Sequence, residues 1–213
     1  MMGYDDDDGE GSRLFEHHTS DAHRMVPRSK LVVYDPQKQV FGLRMYSWSN
    51  KGLAPDPGSL VVYIDGACRD AGTPSARGSF AVYFGPGSRH NRRGLLAPAL
   101  PQTCARAEIE ALAQALSALR EVTARDRSLT NIKIATGSEY LANAMSLWIG
   151  DWIENEGTNA RGHRVAHFET LRELHEQLDD MTYGDDGGLE VMFWSIPRGE
   201  NQEAERLANE AFQ

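Results

Sequence analysis

Three acids stand out by where they fall in the chain. Asp65 closes the apolar run LVVYID (60–65) and directly precedes Gly66. An ionised carboxylate at the end of a buried strand must be solvated or paired, so stability alone does not account for it. Glu108 falls in the first turn of a segment with a helical apolar stripe. Glu205 falls in the first turns of the last helical segment, beside Ala204 and Leu207. Acids at strand ends and helix starts can converge on one edge of a sheet, where they repel one another and call for a hard cation. Mg²⁺ takes oxygen ligands and keeps waters available for chemistry. Two such ions about 4 Å apart activate a water and stabilise the leaving oxygen of a phosphodiester. Taken singly, Glu108 and Glu205 read first as ordinary helix-start acids favoured by the helix dipole.

These acids need a scaffold, and its elements are written in the hydrophobic pattern. LVVYID reads as a buried strand, GSFAVYF (78–84) as a second and RGLLA (93–97) as a short third. Ile109, Leu112, Leu116 and Leu119 recur at spacings of three and four, predicting a helix over Ala107 to Val122. NIKIAT (131–136) is a fourth strand, stopped by Gly137, and Ser138 to Trp148 is helical. Phe168, Leu171, Leu174 and Leu178 mark another helix. LEVMFWSI (189–196) is apolar at both alternating sets of positions, so it must be covered on both faces. Ala204, Leu207, Ala208 and Ala211 mark the last helix. The order βββ-α-β-α-α-β-α predicts a layered α/β domain over 59–213. Upstream, 1–29 reads as a disordered acidic tail, with the acid run Asp5 to Asp8 and few large apolar residues. Its histidines, His17, His18 and His23, come without cysteines or ligand spacing. Residues 30–58 read as an extension: a hairpin around Asp35–Pro36, then the linker SNKGLAPDPGS.

Composition excludes several classes. The chain has 213 residues, 22 Lys+Arg against 31 Asp+Glu and a formal net charge of -9. Two cysteines, Cys68 and Cys104, make neither a disulfide framework nor a four-thiolate zinc site. No apolar run approaches the ~20 residues of a spanning helix, and no signal peptide opens the sequence. These features predict an intracellular protein, cytoplasmic or nuclear, with no membrane partner. Only residues 59–138 are basic, with ten bases against six acids, so a polyanion is favoured there if anywhere.

Five motifs, in order, resemble the type 1 ribonuclease H family. YIDGACRDAG (63–72) resembles its strand ending in D-G-S/A-C, and PQTCARAEIEAL (101–112) its Q-T-N-N-R-A-E-L helix start. ATGSEYL (135–141) resembles T-D-S-x-Y, and LWIGDWIEN (147–155) the W-x-x-x-W helix of the substrate handle. IPRGENQEAERLANEA (196–211) resembles the closing N-x-E-A-D-x-L-A helix, in the form found in a fungal-type subgroup. The resemblance implies an RNase H-like fold, a five-stranded mixed sheet flanked by helices. It also implies cleavage of the RNA strand of RNA–DNA hybrids with Mg²⁺ or Mn²⁺ and four carboxylates. Asp65 and Glu108 match the first two carboxylates, and Glu205 stands where the fourth is an Asp. The resemblance assigns Gly66, Cys68, Arg106, Ser138, Trp152 and Asn201 to the substrate.

The third acid position is Gly137, which offers neither an oxygen ligand nor a charge. Glu139 starts the next helix and points elsewhere. Weak metal binding and impaired hydrolysis are therefore expected. Cys104 and Ala105 replace two family asparagines, the loop Pro197–Arg198–Gly199–Glu200 carries no histidine, and the handle is acidic at Asp151, Glu154 and Glu156. Arg69, Arg77, Arg89, Arg92, Arg93 and Arg106 are a phosphate-contacting set or a solvated basic surface. Trp152 reads as handle or core, and His163 with His167 as helix-start histidines rather than ligands. Three readings follow: a weakened nuclease, a pseudonuclease that binds nucleic acid or protein, and a domain whose acidic face binds an unassigned protein partner.

Overall fold

The computed structural model describes residues 12–185 and 187–213. Strand β4 (Ser59–Arg69) is the spine. It pairs antiparallel with β5 (Arg77–Tyr83), which pairs with β6 (Arg92–Leu95). On its other side it runs parallel to β7 (Asn131–Thr136), which runs parallel to β8 (Glu190–Ser195). The five-stranded mixed order β6-β5-β4-β7-β8 matches the expected sheet, but three further strands join it from upstream. β1 (Val32–Asp35) and β2 (Val40–Ser47) form the expected hairpin. β2 continues the sheet beside the first half of β4, with Phe41 opposite Val61. β3 (Gly52–Pro55) pairs with β2, so the segment read as a linker contains a strand. Its Gly- and Pro-rich composition hides this, because pairing is imposed by the edge that β2 leaves open.

Alternation along β4 divides the core in two. Leu60, Val62 and Ile64 join Val82, Phe84, Ile132, Ile134, Val191 and Phe193 under two helices, α1 (Cys104–Arg125) and α4 (Phe168–Tyr183). Val61 faces the other way, with Ala135, Trp194 and Ile196. The strand 190–195 is thus covered on both faces, as its sequence requires. Phe15, Val26 and Leu31 cover that second face. Residues 12–29 are therefore packed chain, not the disordered tail expected from composition; residues 1–11 lie outside the described residues. Phe15 N donates to Phe193 O, and Arg13 pairs with Asp179 at 2.8 Å. His23 is buried, edge-on to Phe15, and its Nδ1 lies 3.0 Å from Arg44 O. It is a core histidine rather than a tail residue.

Between β7 and α4, a continuous helical run comprises α2 (Glu139–Asn143), a π-helical turn (Ala144–Trp148) and α3 (Ile149–Glu154). Trp152 is buried in it, with Trp148 at 5.8 Å and Tyr140 at 6.4 Å between ring centroids. Trp152 is therefore core. The chain closes with α5 (Gln202–Glu210), packed on β4 and β5 by Ala204 and Ala208. Ser79 Oγ of β5 donates to Ala208 O at 2.7 Å and fixes that contact.

Candidate active site

The site forms where β4 runs past the end of β7. The last parallel pair is Ile64 with Thr136, and Asp65 and Gly137 are the residues that follow these two partners. Gly66 faces α1, and its lack of a side chain sets the approach. A Cβ there would lie 2.2 Å from Glu108 N and 2.4 Å from Ala107 C. Glycine alone lets α1 sit this close, bringing Glu108 to the end of β4. Helix α1 starts at Cys104, capped by Thr103, whose hydroxyl accepts from Arg106 N at 3.2 Å. Glu108 therefore lies one turn deeper than its sequence position suggests, and the helix-start reading does not apply to it. Glu205 does lie in the first turn of α5 and is exposed.

The other two acids both act on Asp65. Burial, then Glu205, then Glu108 push the Asp65 carboxyl up to about 7, against the pull of Arg198 and the Gly66 N–H. Burial also raises Glu108, opposed by a hydrogen bond from Ser138 and by Arg198. Asp65 and Glu108 are brought to the same end of β4 by the Gly66 contact, and Glu205 acts on Asp65 from the first turn of α5. A carboxylate held at a raised pKa by neighbouring anions is one that an added cation would stabilise, so the donor chemistry fits Mg²⁺ or Mn²⁺. The number falls short. Gly137 adds nothing, and among the described residues no three Asp, Glu, His or Cys side chains are gathered closely enough to hold an ion.

Asp65→Asn should accordingly stabilise the fold. With its pKa raised from 3.8 to about 7, Asp65 leaves the fold unpenalised below pH 4, where it is neutral folded or unfolded. Stability is then lost progressively as pH rises from about 4 to about 7 and levels off above that, at roughly 4 kcal/mol. Urea unfolding should show the variant more stable at pH 8 and equal to wild type near pH 4. A variant less stable at pH 8 would contradict the burial and crowding of Asp65.

Around the acids, several residues expected at the substrate are buried and work from behind. Ser138 Oγ donates to Glu108 Oε2 at 2.6 Å and accepts from Leu141 N, tying the start of α2 to the Glu108 carboxylate. Asn201 is buried and donates from Nδ2 to Ile64 O at 2.9 Å, anchoring the end of β4 next to Asp65. Arg106 is buried and pairs with Glu110 at 3.1 Å. Cys68 is partly exposed, its thiol donating to Gln102 O at 3.2 Å. Of the other arginines, Arg92 pairs with Glu121 and Arg93 with Glu210. Arg69 and Arg77 lie over the Phe212 ring, at 4.4 and 5.9 Å from its centroid. His163 and His167 belong to no metal-binding group among the described residues. The acids Asp151, Glu154 and Glu156 are exposed.

Sequence reading gave Arg198 no role. It sits in the 3₁₀ turn Arg198–Glu200 before α5. A Cβ on Gly137 would lie 3.3 Å from Arg198 Cγ and 3.6 Å from its Cα. The signal available was the pairing of a missing acid at 137 with a basic residue in the loop ahead of Asn201.

The family model for RNase H matches residues 57–213. Ribonuclease H1 of Rattus norvegicus is 32% identical over 156 residues, covering 71% of this chain and 50% of that protein. Ribonuclease H1 of Homo sapiens is 30% identical over 155 residues, covering 71% of this chain and 49% of that protein. The chain spans about half the length of these relatives. Among solved structures, LC11-RNase H1, isolated from compost, superposes with a TM-score of 0.51 at 20% identity, covering 71% of this chain and 93% of that one. The foamy viral protease-reverse transcriptase in complex with RNA/DNA hybrid superposes with a TM-score of 0.50 at 18% identity, covering 71% of this chain and 19% of that one. The sheet and helices define an RNase H-like α/β fold. The chain belongs to the RNase H family.

Proposed function

We propose that this chain is an RNase H-type ribonuclease, directed at the RNA strand of RNA–DNA hybrids and weakened in hydrolysis by Gly137. The observation that carries the reading is the family match over 57–213, which takes in Asp65, a buried carboxyl at the end of β4 raised first by burial and then by Glu205 and Glu108. Asp65, Glu108 and Glu205 would hold Mg²⁺ or Mn²⁺ weakly. When bound, such an ion supplies charge to the scissile phosphate and its leaving oxygen. Asn201 holds the end of β4, Ser138 holds the Glu108 carboxylate, and Gly66 keeps the two elements in contact. Cys68, partly exposed, would face the substrate. Buried Arg106, Ser138, Trp152 and Asn201 support that surface from beneath it. Pro197–Arg198 ahead of Asn201 supports the fungal-type subgroup. Two unpaired cysteines suit an intracellular setting, cytoplasmic or nuclear.

The second reading, a pseudonuclease that binds without cleaving, is favoured by Arg198 packed on Gly137. The nuclease reading requires hybrid binding, as does the pseudonuclease reading in its nucleic-acid-binding form. Fluorescence anisotropy should show an RNA–DNA hybrid bound in preference to duplex DNA. The affinity should fall about tenfold or more between 50 and 200 mM salt as phosphate contacts are screened. Absence of binding, or binding indifferent to salt, would favour the protein-interaction reading.

A further inference from the structure

Three arginines that the carboxylate site leaves unused meet toward the other end of α1. A cleft of about 190 Å³ is lined by Arg89, His90, Arg92, Ala118, Glu121 and Arg125. Glu121 is roughly 20 Å along α1 from Glu108 at the helical rise per residue. The arginines come from separate elements: Arg89 from the loop after β5, Arg92 from the start of β6 and Arg125 from the last turn of α1. The helix dipole accounts for a cation in that last turn, but not for the other two. The loop is built to hold its arginine. Asn91 Oδ1 accepts from Phe84 N at 2.7 Å, Asn91 Nδ2 donates to Gly85 O at 2.8 Å, and Arg89 N donates to Gln39 Oε1 at 3.0 Å. The charge is unbalanced. Arg92 is neutralised by Glu121 at 2.7 Å. Arg89 reaches His90, its Nε donating to Nε2 at 3.4 Å. Arg125 makes no hydrogen bond or ion pair among the described residues. Burial, then Arg89, then Arg125 lower the His90 pKa, so the imidazole adds no charge at neutral pH. Three arginines against one glutamate leave two positive charges in the cleft.

We infer that this cleft is an oxyanion site that takes a phosphate group, free or on a polynucleotide, between Arg89 and Arg125. Guanidinium forks match the spacing of phosphate oxygens and stay charged at every relevant pH. Arg92, held by Glu121, forms the wall behind them. Among the described lining residues Ala118 alone is apolar, so the cleft selects for charge rather than for a ring or an alkyl chain. Its distance from Asp65 and Glu108 makes its occupation independent of the carboxylate site.

The test follows the His90 ring by proton NMR in the full chain, titrated with sodium phosphate and, at matched ionic strength, with sodium chloride. Phosphate should shift the His90 resonance saturably, and chloride should not. The double variant Arg89→Ala, Arg125→Ala should bind phosphate about tenfold more weakly or worse, the scale of one charge-assisted hydrogen bond. Glu121→Gln, which removes the acid, should bind it about threefold more tightly. These substitutions change exposed side chains, so the variants should fold. A second arm identifies the source of the phosphate through the salt dependence of RNA–DNA hybrid binding. A slope lower by about 1 for each arginine lost would assign the cleft to a backbone phosphate. An unchanged slope, with phosphate binding lost in the double variant, would assign it to free phosphate. Phosphate acting no more than chloride, or equally on wild type and double variant, together with an unchanged slope, would overturn the assignment. Looser phosphate binding by Glu121→Gln would also overturn it.

Discussion

Gly66→Ala is expected to lower stability by roughly 3 kcal/mol, the upper end of what overpacking usually costs, and to draw Glu108 away from Asp65. A methyl there would stand 2.2 Å from Glu108 N, 2.4 Å from Ala107 C and 2.7 Å from Glu108 Cα. All three are backbone atoms of a helix whose inner face is fully buried, so no side chain can swing aside. Relief requires α1 to lift from β4, and α1 carries Leu112, Leu116 and Leu119 into the main core. Urea unfolding measures the loss. The same variant should lower the Asp65 pKa toward its ordinary range, because burial and Glu108 both act through this contact. A loss below about 1 kcal/mol would mean that the helix is free to shift without disturbing the core.

The second large effect is expected from Gly137→Asp. The new carboxylate would follow directly on the end of β7, the strand parallel to β4, and supply the acid missing at that position. It would also meet Arg198 and draw its charge off Asp65 and Glu108. Both changes favour a bound divalent ion. Even a group that only hydrogen-bonds a metal ligand is worth ~10–100-fold in affinity or activity. A direct ligand should therefore raise hybrid cleavage by roughly a hundredfold. The geometry tolerates the change, since the contact at 3.3 Å is to the flexible stem of an exposed arginine.

Hydrophobic period made the scaffold legible. The apolar runs 60–65 and 189–196 place two strands correctly, and the stripe from Ile109 to Leu119 places α1. What escaped has a common cause: it depends on partners distant in sequence. Phe15 and Val26 are isolated apolar residues in polar chain, and they bury only because Val61, Trp194 and Ile196 form a face to receive them. β3 is strand because β2 offers an edge. Within the candidate site, motif spacing singled out Asp65, Glu108 and Glu205. It did not show that Asn201, Arg106 and Trp152 are buried, because spacing carries no information on depth. Arg198 was hidden for the same reason: only the fold brings it onto Gly137.

The central claim is that an incomplete carboxylate cluster at the end of β4 governs phosphodiester cleavage. It is tested most directly by the initial rate at which a labelled RNA–DNA hybrid is cut, with Mg²⁺ and with Mn²⁺, by wild type, Gly137→Asp and Asp65→Asn. The expected result is slow or undetectable cleavage by wild type, a rate at least about a hundredfold higher for Gly137→Asp, and none for Asp65→Asn. Rapid cleavage by wild type that survives Asp65→Asn, with no gain from Gly137→Asp, would contradict it.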